Sequence, residues 1–234
     1  MTRHELKEQL RHDHFTDVVS DAFGYTQEHR DQVIRWVIVA VILAALAGLA
    51  FWYNTYRRSV QQQDLQAAFT ILEAPVAPPS PTPNSFPNEQ AKRQASIQAL
   101  SKVISKDGGS REGLIAQYYR GTLKAQSGDV KGAIADLETV AQSNKDSAPL
   151  AKIALAQLYA GQNRVADAQR LLRQVIDKPT DLVSRAQAQI LLARLEETTN
   201  PKDAKRLLES MTKTPNQDPA VTRAAEAVSS QLAK

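Results

Sequence analysis

Between Trp36 and Tyr53 the chain reads WVIVAVILAALAGLAFWY, eighteen positions without a charge or a proline, nine of them Val, Ile, Leu or Phe. As a helix this run reaches roughly 27 Å at about 1.5 Å per residue, and Val33, Ile34 and the aliphatic stem of Arg35 extend it towards the ~30 Å of a hydrocarbon core. Trp36 at one end, and Trp52, Tyr53 and Tyr56 at the other, supply the amphipathic rings that settle at a membrane interface. A core helix at a protein surface would carry a polar face, and this run has none, so the pattern predicts one transmembrane helix over 36–53 behind a short segment, 1–35. Ala45 and Ala47 match the small-residue spacing of a signal-peptide cut. Some 35 residues precede the run, however, and it continues past that point, which favours a retained anchor.

Beyond the span the pattern turns amphipathic. NTYRRSVQQQDLQAAFTILE has no helix breaker and places Leu65, Ala68, Phe69 and Leu72 at helical spacing, so 54–74 is expected as a helical stalk about 30 Å long. It gives way to PVAPPSPTPNSFP, six prolines in thirteen residues, which predicts an extended, semi-rigid linker over 75–87. From 88 to 234 apolar positions return every three or four residues, interrupted by Gly, Asn, Asp and Pro, and strand signals are absent. The fold class is all-α. Within this stretch 88–107 reads as the opening helix, with Ala95, Leu100, Val103 and Ile104 as its buried face. Gly108 and Gly109 stop it after Lys106, and 219–233 reads as a terminal helix over the last apolar face.

The intervals between these elements repeat. Gly121, Ala133 and Leu137 recur after 35 residues as Ala156, Ala168 and Leu172, then after 36 as Leu192, Ala204 and Leu208. Gly128, Asn163 and Thr199 fall between the paired segments, and Pro179 and Pro215 each follow the last member of their triplet by seven. A period near 34 residues built of antiparallel helix pairs is that of a tetratricopeptide (TPR) solenoid. The small residues give the physical reason: Gly121 and Ala156 in the first helix of a pair, and Ala133, Ala168 and Ala204 in the second, let two backbones approach closely. Leu137, Leu172 and Leu208 then fill the space between pairs. The repeats are degenerate, since the early tryptophan is missing, Lys124 stands where Tyr159 stands one repeat later, and Leu192 takes a small position.

An N-terminal span at 36–53, EGLIAQYYRGTLKAQSGDVKGAIADLETVA from Glu112 and LAKIALAQLYAGQNRVADAQRLLRQVI from Leu150 together resemble the YfgM-like ancillary subunit family of the Sec translocon. The resemblance covers most of the chain. It implies a single-pass protein of the bacterial inner membrane whose TPR-like domain lies in the periplasm near the translocon exit. There it would act as an adaptor or chaperone-like factor for emerging envelope proteins, with the translocon, periplasmic chaperones or envelope proteins as partners. The proline-rich segment and the longer front segment depart from that family. A scaffold for cell-envelope biogenesis or division complexes is the alternative use of the same solenoid.

Charge sharpens the picture only slightly. The chain has 29 Lys and Arg against 25 Asp and Glu; residues 1–35 carry five basic and seven acidic side chains, and 54–234 carry 24 and 18. The basic residues are spread along helices and not gathered into a stripe with aromatics, so no nucleic-acid partner is expected. Arg30 and Arg35 before the span are matched by Arg57 and Arg58 after it, which leaves the positive-inside rule undecided. Long domains translocate regardless of charge, and the family resemblance points the same way, so the front segment is expected in the cytoplasm and the repeats in the periplasm.

Chemistry is scarce. There is no cysteine, and His4, His12, His14 and His29 all precede the span, leaving the repeats without a histidine general base. His12 and His14 flank Asp13 but do not share a helix face, and no second ligand cluster exists to complete a metal site. Glu196 and Glu197 point to different sides of a helix, and no hydrolase, zinc-protease or phosphate-loop motif occurs. An enzyme is not expected, nor a cofactor, metal or small-molecule substrate. First helices line the concave side of such solenoids, which places Tyr118, Thr122, Gln126, Ile153, Gln157 and Gln189 in a protein-binding groove suited to extended, partly apolar segments.

Overall fold

The computed structural model describes residues 30–77, 85–213 and 218–232, so the four histidines of the front segment and Pro215 lie outside the described residues. The chain divides into two compact units, Met1–Ser59 and Val60–Lys234. Helix α1 (Arg30–Glu73) contributes to both. In the first unit it is long and apolar enough, from Ile34 onward, to cross a membrane by length and composition. Its most apolar window has a mean hydropathy of 2.4, and none of that window is buried. Trp36 and Phe51 are each 74% exposed, so among the described residues no core accounts for these side chains.

The second unit is a TPR-like solenoid. After the last turns of α1 come α2 (Glu89–Asp107), α3 (Arg111–Gln126), α4 (Val130–Ala141), α5 (Ala148–Gly161), α6 (Val165–Asp177), α7 (Arg185–Thr199), α8 (Pro201–Thr212) and α9 (Pro219–Leu232). From α3 to α9 each helix packs on its predecessor, and α9 touches α7 as well as α8. Short connections make neighbours antiparallel. Side chains close the exposed N–H groups of several helices: Asn88 accepts from Ala91 N–H at 2.8 Å, Ser110 from Gly113 at 2.9 Å, Asp129 from Gly132 at 2.9 Å and Ser184 from Gln187 at 3.1 Å. Helices α5 and α8 use a proline in the first turn instead.

Two of the hairpin turns are geometric copies. Gly128 (φ +82°) and Asn163 (φ +61°) sit 35 residues apart, each in the left-handed region that Gly and Asn adopt most readily. The next N–H in each, Asp129 or Arg164, donates back to Lys124 O at 2.9 Å or Tyr159 O at 2.8 Å. The third turn differs. Thr199, expected in the turn, closes α7, and Asn200 alone connects to Pro201. A residue before proline is driven out of the helical region, which places the break at Asn200.

Ala133, Ala168 and Ala204 are fully buried, and Leu137, Leu172 and Leu208 nearly so. Gly121, Ala156 and Leu192 are buried as well. A Cβ on Gly121 would lie 2.9 Å from Leu137 Cγ, so the α3–α4 crossing has no room for one. Ala168→Leu is expected to overpack the equivalent face of α6 and to cost about 1–3 kcal/mol, while Gln142→Ala on an exposed turn stays within about 0.5 kcal/mol. Thermal melts of the two variants check this, and equal melting temperatures would contradict the packing.

The segment expected as a helical stalk is helical, and its last turns also pack against the solenoid. Leu65 and Ala68 of α1 are buried with Leu100, Val103 and Ala116, and Phe69 packs beside them. Gln61 Nε2 donates to Asp107 Oδ2 at 2.6 Å, and Lys106 Nζ pairs with Asp64 at 2.6 Å. The solenoid therefore begins within α1, and α2 is its second helix, not its first. The ends of the proline-rich segment are also pinned together, Phe86 N–H donating to Pro75 O at 3.0 Å and Ala77 N–H to Phe86 O at 3.1 Å. Amphipathic spacing is the same in a stalk and in a packed helix; what decides is the complementary apolar face on α2 and α3.

Candidate functional site

The inner faces of the repeats hold a few polar clusters among apolar packing, and these fix which surfaces remain for a ligand. In the first, Asp136 on α4 is buried and receives Arg120 of α3 through two bonds, Nε at 2.8 Å and a second guanidinium nitrogen at 2.5 Å. Lys124 Nζ adds a contact at 2.8 Å, Gln117 approaches at 3.4 Å, and Arg120 also donates to Ser101 Oγ of α2 at 3.1 Å. Burial pushes the Asp136 carboxyl up, but the combined hydrogen bonds and charges of Arg120 and Lys124 outweigh it and hold the group below its ordinary range. This cluster accounts for Lys124 at the position of Tyr159. One repeat later Tyr159 turns to a different acid, donating its hydroxyl to Glu138 Oε1 at 2.6 Å, with Arg164 lying 4.0 Å over its ring. Burial, and then Glu138, raise the Tyr159 hydroxyl. These groups are consumed in structure: every donor has an acceptor and none converges on open space.

Open space lies elsewhere. A cleft of about 360 Å³ runs between α5, α7 and α9, lined by Ile153 and Gln157, by Gln187, Ile190, Leu191 and Arg194, and by Val221 with its alanine neighbours. No carboxylate lines it. A smaller cleft of about 190 Å³ opens between α3 and α5, where Ile115, Tyr118, Tyr119 and Leu150 meet Leu182 above an Arg111–Asp146 pair of 3.5 Å. Its aromatic wall continues onto α1, since Phe69 and Tyr119 pack edge to face with centroids 4.9 Å apart. Burial, with Tyr119 alongside, raises the Tyr118 hydroxyl. Among the described residues no group of His, Asp or Glu gathers that could hold a metal.

The six groove residues named from sequence are divided by this geometry. Ile153 and Gln157 line the larger cleft and Tyr118 the smaller. Thr122 and Gln126 line neither cleft; Thr122 donates its hydroxyl to Tyr119 O at 2.8 Å, and the backbone carbonyl of exposed Gln126 accepts from Arg93 at 3.4 Å. Gln189 is half-buried and lines neither cleft; on α7 the lining passes through Gln187 and Ile190 instead. The wall formed by α9 was not foreseen; Val221 lies on the same stripe as buried Ala225 and Val228 and packs beside them, and Ala220 and Ala224 extend that stripe to the cleft.

Residues 30–179 match the family model described as a tetratricopeptide repeat-like domain. No curated protein matches the chain. Among solved structures, the nearly identical TPR-like repeats ascribed to a kinesin light chain of Podosopora anserina align at 18% identity and a TM-score of 0.53, covering 75% of this chain and 87% of theirs. A single-substitution variant of those repeats gives a TM-score of 0.54 with the same identity and coverage. At this identity the likeness is one of fold.

Proposed function

The chain belongs to the tetratricopeptide repeat-like domain family, and on that premise we propose that its repeats are a protein-interaction module tethered by α1 in a bacterial inner membrane, with the solenoid in the periplasm beside the Sec translocon. There it holds or relays emerging envelope proteins. The supporting observation is the composition of α1: one helix carries a long apolar stretch that none of the described residues buries and, in its last turns, the first packed seam of the solenoid. Apolar surface on this scale calls for a lipid or protein partner. The resemblance to the YfgM-like family supports the compartment and the translocon.

The α5–α7–α9 cleft is the proposed ligand site. Gln157 and Gln187 can both donate to and accept from a peptide backbone, while Ile153, Ile190 and Val221 accept an apolar side chain. An extended, partly apolar segment fits these groups. A strongly acidic tail does not, because Arg194 is the sole cation in the lining.

A photocrosslinking residue at Gln157 in native membranes is expected to capture translocon components or exported proteins, and one at exposed Gln174 on α6 is not. Capture dominated by division or peptidoglycan proteins would select the scaffold role, and equal capture at both positions would remove the cleft. Protease added to spheroplasts should digest residues beyond about 60 while sparing a tag ahead of Met1. Protection of the repeats until the membrane is lysed would reverse the topology.

A further inference from the structure

Two carboxylates are buried in the solenoid, and they are compensated very unequally. Asp136 is met by two cations at 2.5–2.8 Å. Glu196 on α7 has an equally buried side chain, 8% exposed, yet its Oε1 meets only Gln169 Nε2 at 3.4 Å and the Arg173 guanidinium at 3.6 Å, both from α6. That guanidinium is itself 62% exposed and hydrated. From α8, Asp203 contributes negative charge, itself held by Arg206 and Asn200. No other cation among the described residues lies within 4 Å of the Glu196 oxygens. Arg194, two residues before it on α7, makes no ion pair with Glu196, and neighbouring Glu197 is another acid, so its negative charge is the weakly supported one in the repeats.

We propose that Glu196 makes the third repeat respond to pH: protonation of its carboxyl removes a poorly compensated buried charge from the place where α6, α7 and α8 meet, and firms that repeat in mild acid. The cleft is affected because α7 is shared. Glu196 lies on the packed side of this helix, while Gln187, Ile190, Leu191 and Arg194 line the cleft. Burial raises the Glu196 carboxyl above its ordinary range; Arg173 pulls it back and Asp203 adds to the rise. A group raised in the folded state stabilises fully below its unfolded value and loses that contribution as pH rises through the folded value. Asp136 has the opposite sign. Its contribution is lost only as pH falls through a depressed value, so the first repeat does not change in the window where Glu196 titrates.

Amide hydrogen exchange on the full chain in detergent, corrected for intrinsic rates, separates the two ends of the solenoid. From pH 7.5 to pH 5, exchange in α7 and α8 is expected to slow while α3 and α4 stay constant. Glu196→Gln keeps the acceptor for Gln169 and removes the charge, so α7 and α8 should be slow at both pH values. Arg173→Gln, on an exposed side chain, should move the transition to higher pH and serves if the first variant folds poorly. Wild-type α7 and α8 that exchange alike at both pH values, or a Glu196→Gln chain that keeps the wild-type pH response, would overturn the proposal. Because the readout needs no ligand, it stands or falls separately from the crosslinking at Gln157.

Discussion

Arg120→Met in the full chain is expected to lower the unfolding free energy of the repeats by about 3 kcal/mol, near the low end of what removing one partner of a buried ion pair costs, because Lys124 remains. The variant leaves Asp136 buried with half of its compensation and also strips Ser101 of its guanidinium donor. Chemical denaturation at neutral pH measures the loss. The pH dependence gives an independent check: a carboxyl held low in the folded state contributes stability above its unfolded value, and this is lost as pH falls through its folded value. With Arg120 gone the carboxyl is held less far down, so acid destabilisation from this site should shrink in size and be complete at a higher pH, while its onset, set by the unfolded chain, stays where it is. Adding Asp136→Leu and Lys124→Met to Arg120→Met should recover most of the stability, since apolar side chains of similar volume then replace all three charges. A single variant as stable as wild type would mean that the cluster is solvated.

The cluster also shows where sequence reading reached its limit. A lysine in an aromatic position reads as decay of the repeat, and only the approach of α3 to α4 reveals that Lys124 and Arg120 share Asp136. By contrast, the small residues were legible without coordinates. A close helix crossing favours Gly or Ala, and Ala133, Ala168 and Ala204 recur after 35 and 36 residues although Leu192 breaks the pattern in the partner helix. The start of the solenoid was not legible, because Leu65, Ala68 and Phe69 form the same stripe whether a partner faces them or not. Nor did the proline count reveal that Pro75 and Phe86 are joined by a backbone hydrogen bond.

The candidate cleft was half legible for a related reason. In α5 the regular 35-residue spacing puts Ile153 and Gln157 on the open face. In α7 the interval has slipped, so carrying the same positions forward by 36 lands on Gln189, beside the lining residues and not among them. A helix turns about 100° per residue, and an error of one position is enough to move a side chain off a narrow cleft. The packed face tolerates that error better than the cleft does, since Ala204 and Leu208 are buried in the expected register.

The α3–α4 crossing permits a test of the packing that no single substitution gives. Leu137→Ala is expected to cost about 2–5 kcal/mol, since Leu137 is almost fully buried and fills the space beneath Gly121. Gly121→Ala alone should cost about 1–3 kcal/mol: its new Cβ would sit 2.9 Å from Leu137 Cγ and 3.3 Å from Asp136 Cβ, atoms close to the backbone that cannot simply swing aside. Helix propensity works the other way, because alanine is favoured over glycine in a helix by about 1 kcal/mol, and the size of the clash decides the sign. In the double variant the clash is relieved and the added methyl occupies part of the cavity. The two costs should therefore fall short of additivity by about 1 kcal/mol or more, well outside the scatter seen for independent sites. Strict additivity would show that Gly121 and Leu137 do not meet, and would remove the small-residue crossing as the reason for the 35-residue period.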